Sequence, residues 1–175
     1  VFSLHRISKT YRFGLTLARL SSSFIMQDHT QIRKQIQSQK EDALESVVEI
    51  SGDSERLDLE VLTHYFESLP RDSSILLLGR FQIDRLRLLH CTQFKLTSDG
   101  IEFHARPDLK IRFLTVHQSK GLEADYVIIL NNREAKLGFP AHVKDPPLKA
   151  ELIKIAEELR LDQVSVNEER RLFYV

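Results

Sequence analysis

Cysteine is nearly absent. Cys91 stands alone among 175 residues, which excludes a disulfide framework and a cysteine-built zinc cluster. A single thiol fits a reducing, cytoplasmic compartment. Tryptophan is missing, methionine occurs once, at Met26, and six glycines and five prolines are too few for a linker-like chain. No apolar run approaches the roughly 20 residues needed to span a bilayer, so no membrane partner is expected. An excess of one charge is missing as well. The 25 Lys and Arg balance 25 Asp and Glu, so a polyanion would have to be met by a local patch.

What is present suffices for a proper core. The chain is 42% apolar and 29% charged, and apolar content of that order offsets the ordering entropy of a globular domain. One domain over residues 1–175 is the expectation. The chain does not open on methionine, and it closes on EERRLFYV, which reads as an amphipathic helix cut short. A piece of a longer protein is therefore expected.

Periodicity outlines the elements. FSLHRI (2–7) and the β-branched SVVEIS (46–51) read as strands, and the apolar spacing over 14–26 reads as a helix. HTQIRKQIQSQKED reads as a short helix and a solvated loop. Asp53 or Ser54 is placed to cap a helix whose stripe is Leu57, Val61, Leu62, Tyr65, Phe66 and Leu69, stopped by Pro70. SILLLGR (74–80) is a continuous apolar strand of the kind buried on both faces. Residues 82–90 suggest a helix, TSDGIEF a turn and short strand, and IRFLTV (111–116) and DYVIILN (125–131) two further strands. REAKLGFPAHVKDPP reads as loop, Leu148 to Leu159 as a helix, and Ser165 to Glu168 as a capping box. Strands alternating with helices predict an α/β domain with a mainly parallel sheet, whose ligands sit beyond the carboxyl ends of the strands.

One such strand end is unusual. LTVHQSKGLEADYVIIL places His117, Lys120 and Glu123 around Gly121 between two apolar runs. A loop of that length is compact, and glycine suits a left-handed position within it.

Three segments, in order, resemble one known pattern. TVHQSKGLEADYVIIL resembles motif V of the superfamily 1 DNA helicases of the UvrD and Rep type, EERRLFYV the first half of motif VI, and SKTYRF motif IV. LNNREAKLGFPA is similar to the helicase IV-like branch, as is the absence of a bulky helical insertion between SILLLGR and IRFLTV. The resemblance covers the chain and implies the second RecA-like motor domain, a three-layer α/β/α fold of the P-loop NTPase type, truncated within motif VI.

It further implies ATP and magnesium as cofactors, with single-stranded DNA and the N-terminal RecA-like domain of the same protein as partners. Both cofactors would be held mainly by that other domain. No GxxxxGK[ST] loop and no strand ending in paired acids occurs in this chain, so the piece alone is not expected to hydrolyse ATP.

By the same resemblance, Tyr11 stacks on adenine and Arg12 reaches the γ-phosphate as the catalytic cation. Gly121 and Glu123 belong to the nucleotide site, with Glu123 accepting from the ribose hydroxyls. Thr115, His117, Ser119 and Lys120 are the expected DNA contacts, with Arg80 at a neighbouring strand end and Phe81 in the core. A hydroxyl, an imidazole and an ammonium at a strand end suit phosphate rather than base edges. Glu168, Glu169, Arg170 and Arg171 match motif VI in a positioning role. The plain alternatives are a surface Tyr-Arg pair, a salt-bridge acid at Glu123, a core histidine at 117 and a solvated Lys120. Two further readings stay open: a non-catalytic RecA-like module that binds DNA or protein, and the helicase-like part of a recombination helicase-nuclease.

Overall fold

The computed structural model describes residues 8–28, 31, 36–42, 46–50, 55–98, 100–133, 138–139, 141 and 172. They fall into two compact units, one up to residue 49 and one from residue 50 onward, and each is described by itself. The expected strand 2–7, the caps Asp53 and Ser54, the helix from Leu148 and the capping box from Ser165 lie outside the described residues.

In the first unit, strand β1 (Lys9–Thr10) leads through a short loop into helix α1 (Leu15–Ile25). Strand β2 (Gln37–Ser38) pairs parallel with β1, Lys9 opposite Gln37 and Thr10 opposite Ser38. Sequence periodicity cannot reveal strands of two residues, and β2 replaces part of the expected helix and loop. Helix α1 has no side-chain cap of its own; Asp42 takes that role from afar, its Oδ1 accepting from the Thr16 N–H at 2.8 Å. An acid at a helix start suits both the unpaired amides and the helix dipole. Residues 46–50 form no strand, contrary to expectation, and Val47 and Val48 are exposed.

The second unit is built on a five-stranded sheet. After helix α2 (Glu55–Ser68) come β3 (Ser74–Gly79), a 3₁₀ helix (Gln82–His90), β4 (Phe94–Leu96), β5 (Ile101–Phe103), β6 (Lys110–Thr115) and β7 (Tyr126–Ile129). The sheet order is β4-β5-β6-β3-β7. β3 runs parallel to both β6 and β7, which explains why SILLLG is apolar throughout: a central parallel strand is covered on both faces. β4, β5 and β6 pair antiparallel, so the sheet is mixed, and the Thr97 N–H donating to Gly100 O at 2.9 Å closes a hairpin where only one strand was expected.

Alternate residues of β3 feed two cores. Ile75 and Leu77 join Leu62, Phe66, Leu88, Phe94, Phe103 and Ile111 on one face, beneath α2 and the 3₁₀ helix. Leu76 and Leu78 join Val116 and Phe139 on the other, with Leu172 packed against them. Phe66 is fully buried and meets Phe94 and Phe103 edge-on at 5.8 and 5.7 Å.

The end of α2 is held by a side chain from beyond the hairpin. Arg106 donates to the carbonyls of Glu67 and Leu69 at 2.9 and 3.0 Å, and grips Asp108 with two parallel bonds of 2.8 and 2.7 Å. The Arg106 guanidinium holds the Asp108 carboxyl far below the usual carboxylate range. Asp125 is also lowered, by the hydroxyl and N–H of Ser74, at 2.6 and 2.8 Å. A carboxylate with a lowered folded-state pKa stabilises the fold above its unfolded value, near 4, and loses that contribution as pH falls through the folded value. The melting temperature therefore drops on acidification below about pH 4. Asp108→Asn combined with Asp125→Asn lowers it at neutral pH and flattens this acid limb; melting curves across that range check both outcomes.

Because β3, β6 and β7 run parallel, with Gly79 opposite Thr115 and Leu78 opposite Ile129, their carboxyl ends share one edge of the sheet. The loops leaving that edge are those carrying Arg80, His117 to Glu123, and Asn131.

Candidate functional site

In the first unit, Tyr11 and Arg12 sit on the loop between β1 and α1. The segment around β2 fixes that loop through its backbone. Gln39 N–H donates to Thr10 O at 3.1 Å, Ser38 Oγ to Phe13 O at 2.7 Å, and Lys40 Nζ to Arg12 O at 3.3 Å. The Tyr11 ring is left 73% exposed, and the Arg12 side chain is exposed too. A large aromatic ring held out by a pinned backbone can stack on a planar ligand with little further loss of chain entropy. Its neighbour offers a rigid, permanently charged fork for phosphate oxygens.

In the second unit, the loop after β6 is a tight turn. Gln118 and Ser119 both donate their N–H groups to Thr115 O, at 2.9 and 3.1 Å, and Leu122 N–H donates to Ser119 O at 2.9 Å. Gly121 has φ +82°, and a Cβ there would meet nothing within 4 Å. Only the backbone conformation requires glycine at that position. The turn leaves His117, Lys120 and Glu123 exposed, so the core-histidine alternative does not hold.

Two of the expected DNA contacts point elsewhere. Ser119 is only 7% exposed and spends its hydroxyl on Val116 O at 2.8 Å, so it shapes the turn instead of facing a ligand. Thr115 donates its hydroxyl to Gln118 Oε1 at 3.0 Å, and its N–H reaches the same oxygen at 3.1 Å. Arg80 stays at the β3 end with its guanidinium carbon 5.0 Å from the Phe81 ring centre, and Phe81 is half-buried rather than core.

Three residues unnoticed in the sequence organise this edge. Gln118 caps the end of β6, and its Oε1 also accepts from Gln82 Nε2 of the 3₁₀ helix at 3.0 Å. Asp84 is fully buried, its Oδ2 accepting from Phe81 N–H at 2.8 Å and its Oδ1 from Asn131 Nδ2 at 3.4 Å. One carboxylate thus ties the ends of β3 and β7 to the 3₁₀ helix. Gly79 makes room for it, since a Cβ there would come within 2.7 Å of Asp84 Cβ and 2.8 Å of Phe113 Cζ. The available signal was an acid in the first turn after Phe81, where helix amides lack partners.

Arg80, Thr115, His117, Lys120 and Glu123 are therefore brought to one edge of the second unit's sheet. Tyr11 and Arg12 belong to the first unit, and Glu168 to Arg171 lie outside the described residues. Among the described residues no group of three or more His, Cys, Asp or Glu could hold a metal ion, and no helix is long and apolar enough to cross a membrane.

The chain belongs to the UvrD-like helicase C-terminal domain family, whose sequence model matches residues 8–175. The fold is accordingly the α/β, RecA-like one.

The chain is 31% identical over 171 residues to DNA helicase IV of Escherichia coli (strain K12), an alignment covering 97% of this chain and 22% of that protein. It thus spans less than a quarter of its relative's length. No solved structure matches it.

Proposed function

We propose that this chain is the second motor domain of an ATP-dependent DNA helicase. In this reading Tyr11, Arg12, Gly121 and Glu123 contribute to the nucleotide site. Arg80, His117 and Lys120 grip the backbone of single-stranded DNA, and Thr115 and Ser119 set the loop that presents them. The phosphate loop and magnesium-binding acids come from the N-terminal RecA-like domain of the same protein. ATP, when bound, supplies the driving force. This chain's own residues orient the base (Tyr11), accept from the ribose (Glu123) and neutralise charge developing on the transferred phosphoryl group (Arg12). Closure and opening of the two motor domains around nucleotide would then step the strand along the protein.

The observation that carries this reading is the exposed Tyr11–Arg12 pair on a backbone-fixed loop, at the place where the family match begins. The DNA half of the reading is tested by salt titration. None of the proposed cations reads base edges, so affinity is sequence-tolerant and falls steeply with ionic strength. In the complete protein, Lys120→Ala weakens binding uniformly across sequences and reduces the slope of log affinity against log salt by about one. Fluorescence anisotropy with several single-stranded oligomers reads both quantities. An unchanged slope removes Lys120 from the contact set.

A further inference from the structure

The loops bearing Arg80 and His117 to Lys120 leave adjacent strands, and one side chain joins them. Val116 N–H donates to Gly79 O of β3 at 3.0 Å, so the Thr115 N–H, one residue earlier, points to the other side of the strand. β5 meets β6 further back, at Ile111. The acceptor for Thr115 is therefore a side chain. Gln118 Oε1 takes the Thr115 N–H at 3.1 Å, the Thr115 hydroxyl at 3.0 Å and Gln82 Nε2 at 3.0 Å. Three donors use the whole acceptor capacity of one amide oxygen.

Gln82 is a fixed point. It opens the 3₁₀ helix two residues after Arg80, and Asp84 holds that helix start. Asp84 Oδ2 accepts from Phe81 N–H at 2.8 Å, and the Asp84 N–H donates to Phe81 O at 3.1 Å. The same carboxylate is fully buried, and its Oδ1 lies 3.4 Å from Asn131 Nδ2 and 3.8 Å from Arg87 Nε. A buried carboxylate with partners on three sides resists displacement, so the exit of β3 and the first turn of the helix move as one piece. Gln118 stands between His117 and Lys120, and like Gln82 it is exposed. A loop already tied to a rigid neighbour has less freedom to lose when it grips a ligand.

We infer that Gln118 is a positioning residue for the DNA grip: its bond to Gln82 holds the His117–Lys120 loop in register with Arg80, so that both loops engage one strand together. The inference rests on the proposed DNA-binding reading and adds to it the element that sets the spacing of the cations. Gln118 acts through Lys120 and His117 and has no contact with the strand of its own.

The test uses the complete protein, a single-stranded thymidine oligomer and fluorescence anisotropy over a range of salt. Gln118→Met keeps the length of the side chain and removes the acceptor. It weakens binding about fivefold, the range for losing a hydrogen bond or two of this kind, and lowers the slope of log affinity against log salt. Gln82→Met has a similar effect, and the two together are no worse than either alone, because they break one bond. Lys120→Ala costs less affinity in the Gln118→Met background than in the wild type. Melting temperatures stay close to the wild-type value. Unchanged affinity for Gln118→Met, with or without a lower melting temperature, means that the residue only shapes the turn and overturns the inference. So do additive losses from Gln82→Met and Gln118→Met, or a Lys120→Ala loss of the same size in both backgrounds. Lys120→Ala in the wild type separates the two levels: if it is silent, the parent reading fails and the inference with it, whereas a clear loss there beside a silent Gln118→Met sinks the inference alone.

Discussion

Arg12→Ala in the complete protein lowers DNA-stimulated ATP turnover by about a thousandfold or more, the range found when an arginine supplied from outside the phosphate loop is removed in phosphoryl transfer. The loss falls on kcat if, as proposed, the guanidinium acts on charge that develops in the transition state while ground-state binding rests mainly on the other motor domain. Tyr11→Ala should behave in the opposite way. A stacking ring contributes to ground state and transition state alike, so its removal raises KM for ATP and leaves kcat nearly unchanged. Arg12→Lys does not restore turnover, since an ammonium lacks the fork that engages two oxygens at once. Steady-state kinetics with saturating single-stranded DNA separates these outcomes. Arg12 is exposed, and Ser38, Gln39 and Lys40 hold the loop through its backbone, so a melting curve of the variant separates any loss of fold from loss of turnover.

Phe66→Ala has the largest effect on stability. The ring is fully buried between α2 and the β4–β5 hairpin, touching Phe94 and Phe103 edge-on, while those two rings stack on each other at 5.0 Å. Truncation removes the transfer free energy of the ring and leaves a cavity that two stacked aromatics cannot easily fill. A loss of about 3–5 kcal/mol follows. Against the roughly 5–15 kcal/mol that holds a typical domain together, such a loss unfolds a sizeable fraction of molecules at moderate temperature. Phe66→Leu retains most of the volume and costs less than half as much. Denaturant titration of both variants measures the difference; a loss under about 1 kcal/mol for alanine would mean that the cluster is loosely packed.

The parts of the fold that could be read in advance are those whose cause is local. SILLLG is a strand because an unbroken apolar run in a parallel sheet is covered on both faces, while IRFLT and YVII flank it in the sheet and each keep an exposed residue, Arg112 and Val127. Gly121 was legible for a different reason: a tight polar turn between two strands needs one left-handed residue, and only glycine adopts that conformation cheaply. SVVEIS misled because β-branched residues favour a strand only where a partner edge and a core exist, and Val47 and Val48 are exposed without either. Strands β1 and β2 are too short to carry a pattern, and β4 carries almost none.

At the candidate site the exposed loop residues were legible from their chemistry, while their supports were not. Gln118 matters because Gln82, 36 residues away, donates to it, and Asp84 because Asn131, 47 residues away, does so. Nothing in the sequence marks such pairings. The local hydroxyl bonds of Thr115 and Ser119 were not legible for a related reason. A hydroxyl beside a turn satisfies the turn first, here through the local bonds to Gln118 and Val116.

The most direct test of the helicase-motor reading is ATP turnover by the complete protein with and without single-stranded DNA. Turnover that is low alone and rises at least tenfold with DNA is the predicted result, because strand and nucleotide would act on the same pair of motor domains. No turnover under either condition, or a rate indifferent to DNA, would contradict it.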